Sequence, residues 1–188
     1  MLRLRAAVPS DIPSFLAIYA PYITDTTYSF EYTVPSLSDF AARFASVTAR
    51  FPWIAAVDAD ARGGERIVGY AYAAPMAERM AYIWSADLSI YLDQNRRGHG
   101  YGTALYTELE ELLRRLGYYN AYALITSENE RSRRFHAHMG YTPESHMDRC
   151  GYKMERWLAV DWYVKRLREG NPTALPRVWD GSLTERYC

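Results

Sequence analysis

The chain reads as one α/β domain, a mixed and largely antiparallel twisted sheet flanked by helices. Three observations predict it: period-two apolar runs are interspersed with helix-period stripes, hairpin-like connections lie near both ends, and a strand, a glycine-rich loop and a helix follow one another mid-chain. A length of 188 residues suits a single core.

Leu2, Leu4 and Ala6 alternate with Arg3 and Arg5, which predicts a strand over 2–6. Ser10 or Asp11 then caps a helix over 12–20. A polar and aromatic loop through Thr24, Tyr28, Phe30 and Glu31 precedes a second helix, capped by Ser36 or Ser38, with Phe40, Phe44 and Val47 on one face. Beyond Pro52, strands over 53–57 and 67–74 are joined through 60–64, a sequence with hairpin-loop composition. A long strand over 82–92 places Leu88, Ile90 and Leu92 on one face and Asp87, Ser89 and Tyr91 on the other. After the loop at 93–102, Leu105, Leu109, Leu112, Leu113 and Leu116 form the stripe of a helix over 103–116, closed by Gly117. A strand over 121–125, a helix over 130–139 ended by Gly140, and strands over 141–149 and 153–164 complete the pattern. The organisation expected is a domain over 1–168 and an extension over 169–188, whose Trp179 suggests an arm that packs.

Lys plus Arg and Asp plus Glu both number 22, so the charges cancel and nothing favours a nucleic-acid backbone as partner. The alternating N-terminus carries no continuous apolar stretch, so no membrane partner is expected and the chain is read as cytoplasmic. Two cysteines, Cys150 and Cys188, are too few for a disulfide scaffold or a cysteine-rich metal site. His136 and His138 are two apart on a helix and face different ways, so no metal site is expected.

The loop Arg97-Gly98-His99-Gly100-Tyr101-Gly102 carries the functional reading. A glycine-rich turn opening a helix gathers unpaired backbone N–H groups around one concavity, which makes an anion site. Gly98, Gly100 and Gly102 allow close approach, Thr103 adds a hydroxyl, and Arg96 and Arg97 add charge at the rim. Gly102-Thr103-Ala104 is not a Walker ending, and the Rossmann G-x-G-x-x-G spacing is absent. The residues alone leave the anion unnamed.

Those six residues match the Q/R-x-x-G-x-G/A signature, and over about residues 2–167 the chain resembles the GNAT family of N-acetyltransferases. Tyr28 to Glu31, Tyr70 to Pro75, Gly100 to Tyr106, Met139 to Tyr141 and Cys150 to Lys153 are similar to its phosphinothricin and methionine sulfone acetyltransferases. The resemblance implies acetyl-CoA as co-substrate and acetyl transfer to the α-amine of a small amino acid or analogue. Alternatives are a polyamine, aminoglycoside or protein N-terminus as acceptor, or a non-catalytic acyl-CoA-binding module. It implies Asp87 as catalytic base, where relatives carry glutamate, with Glu31 competing and His136 as general acid. For the cofactor it implies Ile90, Tyr91 and Leu92, a backbone donor at a strand bulge near Tyr91 or Leu92, the loop Arg97 to Thr103, Asn129 and Ser132. On the substrate side it implies Tyr28, Phe30, Arg79 and Trp84, with Arg79 gripping a carboxylate. A homodimer is also expected, with Trp157, Trp162 and Trp179 able to supply an apolar interface.

Overall fold

The computed structural model describes residues 2–59, 64–96, 99–183 and 186–187. Strands β1 (Leu2–Ala6), β2 (Trp53–Ala59), β3 (Glu65–Pro75), β4 (Ser85–Leu92), β5 (Asn120–Thr126), β6 (Thr142–Lys153), β7 (Arg156–Arg166) and β8 (Arg186–Tyr187) form one sheet in the order β6-β7-β5-β4-β3-β2-β1-β8. All neighbours are antiparallel except β4 and β5.

Helices α1 (Ile12–Thr24) and α2 (Leu37–Thr48) cover one face, where Phe15, Phe40 and Phe44 pack around Trp53 and Tyr70. On the other face α3 (Tyr101–Leu116) buries its predicted leucine stripe against Leu4, Ile54, Val68 and Leu88, while α4 (Glu130–His138) follows β5. Period-two alternation feeds both cores, so a sheet with two apolar faces is filled from two sides. Among the described residues no helix is long and apolar enough to cross a membrane.

Several boundaries differ from the pattern for identifiable reasons. Helix α1 runs four residues beyond the expected end, through Pro21, because only one i→i−4 bond is lost there. Ser36 is the cap of α2, accepting from the Asp39 N–H at 3.1 Å. Strand β4 begins at Ser85 rather than at Tyr82, because Met80–Tyr82 forms a 3₁₀ turn held by Tyr82 N–H to Arg79 O at 2.9 Å. Strand β6 extends to Lys153, and the chain reverses at Met154 and Glu155 with φ of 50° and 61°, a turn with no glycine, asparagine or aspartate to announce it. The bulge expected in β4 lies elsewhere: the β2–β3 register shifts between Ala56 and Val57, leaving Val68 unpaired, whereas β3–β4 pairing is continuous. The connection proposed over 60–64 falls, except for Gly64, outside the described residues.

The C-terminal extension docks along the bottom of the sheet. Trp84 Nε1 donates to Ala174 O at 2.9 Å, Arg177 N–H to Leu116 O at 2.8 Å and Trp179 N–H to Arg50 O at 3.0 Å, before β8 pairs with β1. Trp179 is buried. Truncating a buried tryptophan typically costs about 3 kcal/mol or more, so Trp179→Ala should lower unfolding free energy by about that much in urea titration. Deleting 170–188 should lower it further.

Candidate active site

Strand β4 pairs with β3 along its length, from Gly69↔Leu92 to Pro75↔Ala86. With β5 it pairs only through Ser85↔Asn120, Ala86↔Ala121 and Asp87↔Tyr122. Beyond Asp87 the two strands part, because β5 stays paired to β7 as far as Thr126↔Val160. A parted pair leaves backbone groups without ladder partners. Asp93 N–H points to Val68 O of β3, so strand alternation turns the polar groups of Leu88, Ile90 and Leu92 towards the gap. Tyrosines from the helices satisfy the outer two carbonyls. Tyr106 Oη donates to Leu88 O at 3.3 Å, and Tyr22 Oη to Leu92 O at 2.8 Å. Ile90, between them, has no such partner among the described residues.

Two neighbouring cavities, which share Tyr22, Tyr28, Ile90, Asn129 and Ser132 as walls, occupy this region. One of about 90 Å³ lies in the gap itself, bordered by Tyr28, Leu88, Ile90, Tyr91, Ser132 and His136. A larger one of about 390 Å³ reaches the N-termini of α3 and α4, bordered by Tyr28, Leu92, Gly102, Asn129, Arg131 and Phe135. Gly102 borders that end, where a Cβ would just touch Leu92 Cδ1 and Phe135 Cε2, each at 3.4 Å. Gly100, with φ of 77°, is the cap of α3, and the first intrahelical bond is Ala104 N–H to Gly100 O. The N–H groups of Tyr101, Gly102 and Thr103 therefore open onto the helix end. At α4, Asn129 Oδ1 accepts from Ser132 N–H at 3.1 Å, so it is a cap and a cavity wall at once. Arg97 and Gly98 lie outside the described residues. His99 is exposed and stacks on Tyr101, whose hydroxyl points away from the helix end to donate to Asp58 Oδ2 at 2.8 Å.

Asp87 sits at the last β4–β5 pair, where the gap begins. Its Oδ1 is buried and has no hydrogen-bond partner among the described residues. Burial raises its pKa to about 7, against a smaller opposing effect from the Leu88 N–H. A carboxylate so placed exchanges a proton near neutral pH. Glu31 is in a different state: it pairs with Arg43 at 2.7 Å and accepts from Tyr19 Oη at 3.0 Å. Neither carboxylate is among the residues that border the two cavities.

His136 is buried at the gap. Its Nδ1 lies 2.8 Å from Ser132 O, which can only accept, so Nδ1 carries the proton. The single proton of the Tyr106 hydroxyl is then shared between two acceptors, His136 Nε2 at 2.9 Å and Leu88 O at 3.3 Å. Burial lowers the pKa of His136 to about 4, keeping the ring neutral.

The remaining expected residues divide. Tyr28 borders both cavities, and Thr103 is exposed on the first turn of α3. Phe30 instead lies over Gly151, where a Cβ would come 2.2 Å from its ring. Arg79 borders a separate cavity of about 280 Å³ with Arg50 and Phe51, and Trp84 is tied to the C-terminal extension, so neither reaches the gap. Tyr22, Tyr106 and Phe135 were not singled out from the sequence. A tyrosine in a helix stripe looks like core, and only the parted strands reveal what its hydroxyl serves.

A gap between parallel strands that leads to two helix N-termini makes a cleft suited to an extended ligand carrying an anionic group. The Acetyltransferase (GNAT) family model matches residues 17–141. The chain belongs to this family. Among GNAT proteins, an N-acetyltransferase of Streptomyces griseus is 32% identical over 171 residues, covering 89% of this chain and 88% of that one. An L-methionine sulfoximine/L-methionine sulfone acetyltransferase of Pseudomonas paraeruginosa is 31% identical, covering 82% and 88%. A phosphinothricin acetyltransferase from Sinorhizobium meliloti, solved in complex with AcCoA, superposes with a TM-score of 0.84 at 33% identity and covers 96% of each chain. The similarity to GNAT structures extends over nearly the whole sheet.

The raised pKa of Asp87 makes a stability prediction independent of any ligand. Because the folded-state value lies above the unfolded one, the penalty for ionising the buried carboxyl is absent at pH 4, grows between about 4 and 7, and is complete above 7. At about 1.4 kcal/mol per unit, Asp87→Asn should be more stable than wild type at pH 8 by about 1–4 kcal/mol. At pH 4 the two should unfold alike, as measured by thermal melts across that range.

Proposed function

We propose that the chain transfers the acetyl group of acetyl-CoA to the α-amine of a small amino acid or amino-acid analogue of the phosphinothricin or methionine sulfone type. The observation that carries the reading is Asp87, a buried carboxylate at the last register pair before β4 and β5 part, whose pKa burial raises to about 7. The named relatives support the acceptor class.

Acetyl-CoA would supply an activated acyl group. The N–H groups of Tyr101 to Thr103 would hold its pyrophosphate, Asn129 and Ser132 its pantetheine arm, and the backbone of Ile90 would bind carbonyl or amide groups in the gap. Asp87 takes the ammonium proton of the acceptor, leaving a neutral nitrogen able to attack. Its side chain, one methylene shorter than glutamate, is compatible with transfer through a water. Glu31, neutralised by Arg43, serves to hold the loop beside α1. In this reading His136 is an acceptor that aims the Tyr106 hydroxyl, rather than the acid expected from its position, because its Nε2 has no proton to give.

The same reading takes the chain as a cytoplasmic homodimer. Exposed Met147, Tyr152, Met154 and Trp157 along β6 and β7, beside an unpaired sheet edge, support self-association. Light scattering on the purified chain measures it.

Free-thiol release from acetyl-CoA should be stimulated by methionine sulfone, methionine sulfoximine or phosphinothricin in preference to a polyamine or a short peptide. Coenzyme A binding without turnover of any amine would replace the enzyme by a binding module. For wild type, kcat/KM should rise with pH through a midpoint of about 7 and level off above it, since the base of the free enzyme must be ionised. Asp87→Asn should lower kcat by about 10²–10⁴-fold and abolish that limb.

A further inference from the structure

Lys153, at the end of β6, is 4% exposed and makes no contact with either cavity. Its ammonium donates to Ile23 O at 2.7 Å, Thr26 O at 2.9 Å and Ser29 O at 2.6 Å. An ammonium has three N–H donors, so the set is complete. Every acceptor is a backbone carbonyl. Ile23 belongs to the last turn of α1, where unpaired carbonyls and the helix dipole both favour a cation, and Thr26 and Ser29 lie in the loop that follows.

The rest of that loop is held from two sides. Thr27 and Ser29 point inwards and are buried, while Tyr28 and Phe30 point outwards. Thr27 Oγ1 donates to Glu128, and Thr126 Oγ1 donates to Thr27 O at 3.0 Å, so the end of β5 and the connection that follows it grip one side. The β6 end grips the other: Phe30 sits on Gly151, Tyr32 Oη donates to Tyr152 O, and Lys153 binds the three carbonyls. The triplet Gly151-Tyr152-Lys153 thus meets the loop at three consecutive positions. Between the two grips stands Tyr28, whose side chain borders both the gap cavity and the larger cavity.

We propose that Lys153 is a positioning residue that fixes the 23–29 backbone and thereby sets Tyr28 as a wall of the reaction cleft, acting on acetyl transfer without touching either reactant. This rests on the function proposed above. Removing the ammonium leaves three carbonyls to find other donors, and the loop loses the only group that binds both of its ends at one point among the described residues. Arginine does not replace it, since a planar fork spreads its donors where a point charge gathers them.

The test is a double-mutant cycle in the full chain, comparing Lys153→Met, Tyr28→Ala and the double variant. The readouts are kcat/KM for the preferred amine, coenzyme A affinity by calorimetry, and thermal unfolding. Lys153→Met should lose about tenfold or more in kcat/KM at temperatures where it is fully folded. Because Lys153 acts through Tyr28, the double variant should lose no more than the worse single one. Losses that multiply, or a folded Lys153→Met with wild-type kcat/KM, overturn the proposal. A loss of stability alone, with no coupling to Tyr28, does the same. Should Lys153→Met fail to fold, Lys153→Gln, which keeps a two-hydrogen donor, enters the same cycle with the same expected pattern. If wild type turns over no amine, the functional reading fails on that result, while the latch is still decided by the cycle in coenzyme A affinity, since Tyr28 also borders the larger cavity.

Discussion

Two adjacent parallel strands that each keep a full-length partner on the far side have no means of staying together if those partners diverge. That is the position of β4 and β5. One is bound to β3 through seven register pairs and the other to β7 through seven, but only three join them to each other. Unpaired strand backbone is costly when buried, and the protein meets this with hydroxyls rather than with a third strand. Tyr106 from α3 and Tyr22 from α1 reach in from opposite faces to take the carbonyls of Leu88 and Leu92. The result is a slot in which hydroxyls take the carbonyls of Leu88 and Leu92 and none takes that of Ile90 among the described residues.

The neighbouring elements are arranged around that slot. Gly102 allows the N-terminus of α3 to come close to Leu92 and Phe135, and Asn129 ends β5's connection by capping α4. Both helix ends therefore point at the cavity that continues from the gap. An anionic cofactor with an extended, amide-bearing arm matches this sequence of features from the helix end to the slot. His136 and Tyr106 extend the satisfaction of polar groups inward: the histidine's one proton is spent on Ser132 O, so its other nitrogen is available to orient the tyrosine.

Much of this was legible in the sequence, and the parts that were not share a cause. The alternation of Leu2 and Leu4, the leucine stripe from Leu105 to Leu116, Gly117 as a cap and the loop of glycines before α3 are local signals, and each element they announce is present. Asp87 was legible as a strand acid on one face. Its unusual acidity was not, because that depends on burial at the point where two strands part. Likewise Lys153 bonds carbonyls 124 to 130 residues earlier, and Tyr106 meets a histidine 30 residues later; no periodicity encodes such pairs. Arg79 and Trp84 stood close to Asp87 in the chain, yet a strand carries its two ends apart, and they sit on the side where β4 and β5 are still paired. The reversal at Met154 and Glu155 carries no turn residue, and tertiary attachment of Tyr152 and Lys153 to the loop holds it in place of local preference.

The choice of aspartate at position 87 follows from the same geometry. A carboxylate useful as a base near neutral pH must be partly deprived of water, and deprivation is destabilising for the ionised form. A position inside the paired part of the sheet would bury it completely and keep it protonated. A position further along β4 would put it in the open cavity with an ordinary acidity. At the last register pair an oxygen is buried immediately before the two strands part, and Asp87 occupies that position. The destabilisation is tolerable because the apolar cores on both faces, around Trp53 and along α3, are continuous beneath this point. The carboxylate proposed as the base therefore lies where the pairing of β4 and β5 ends.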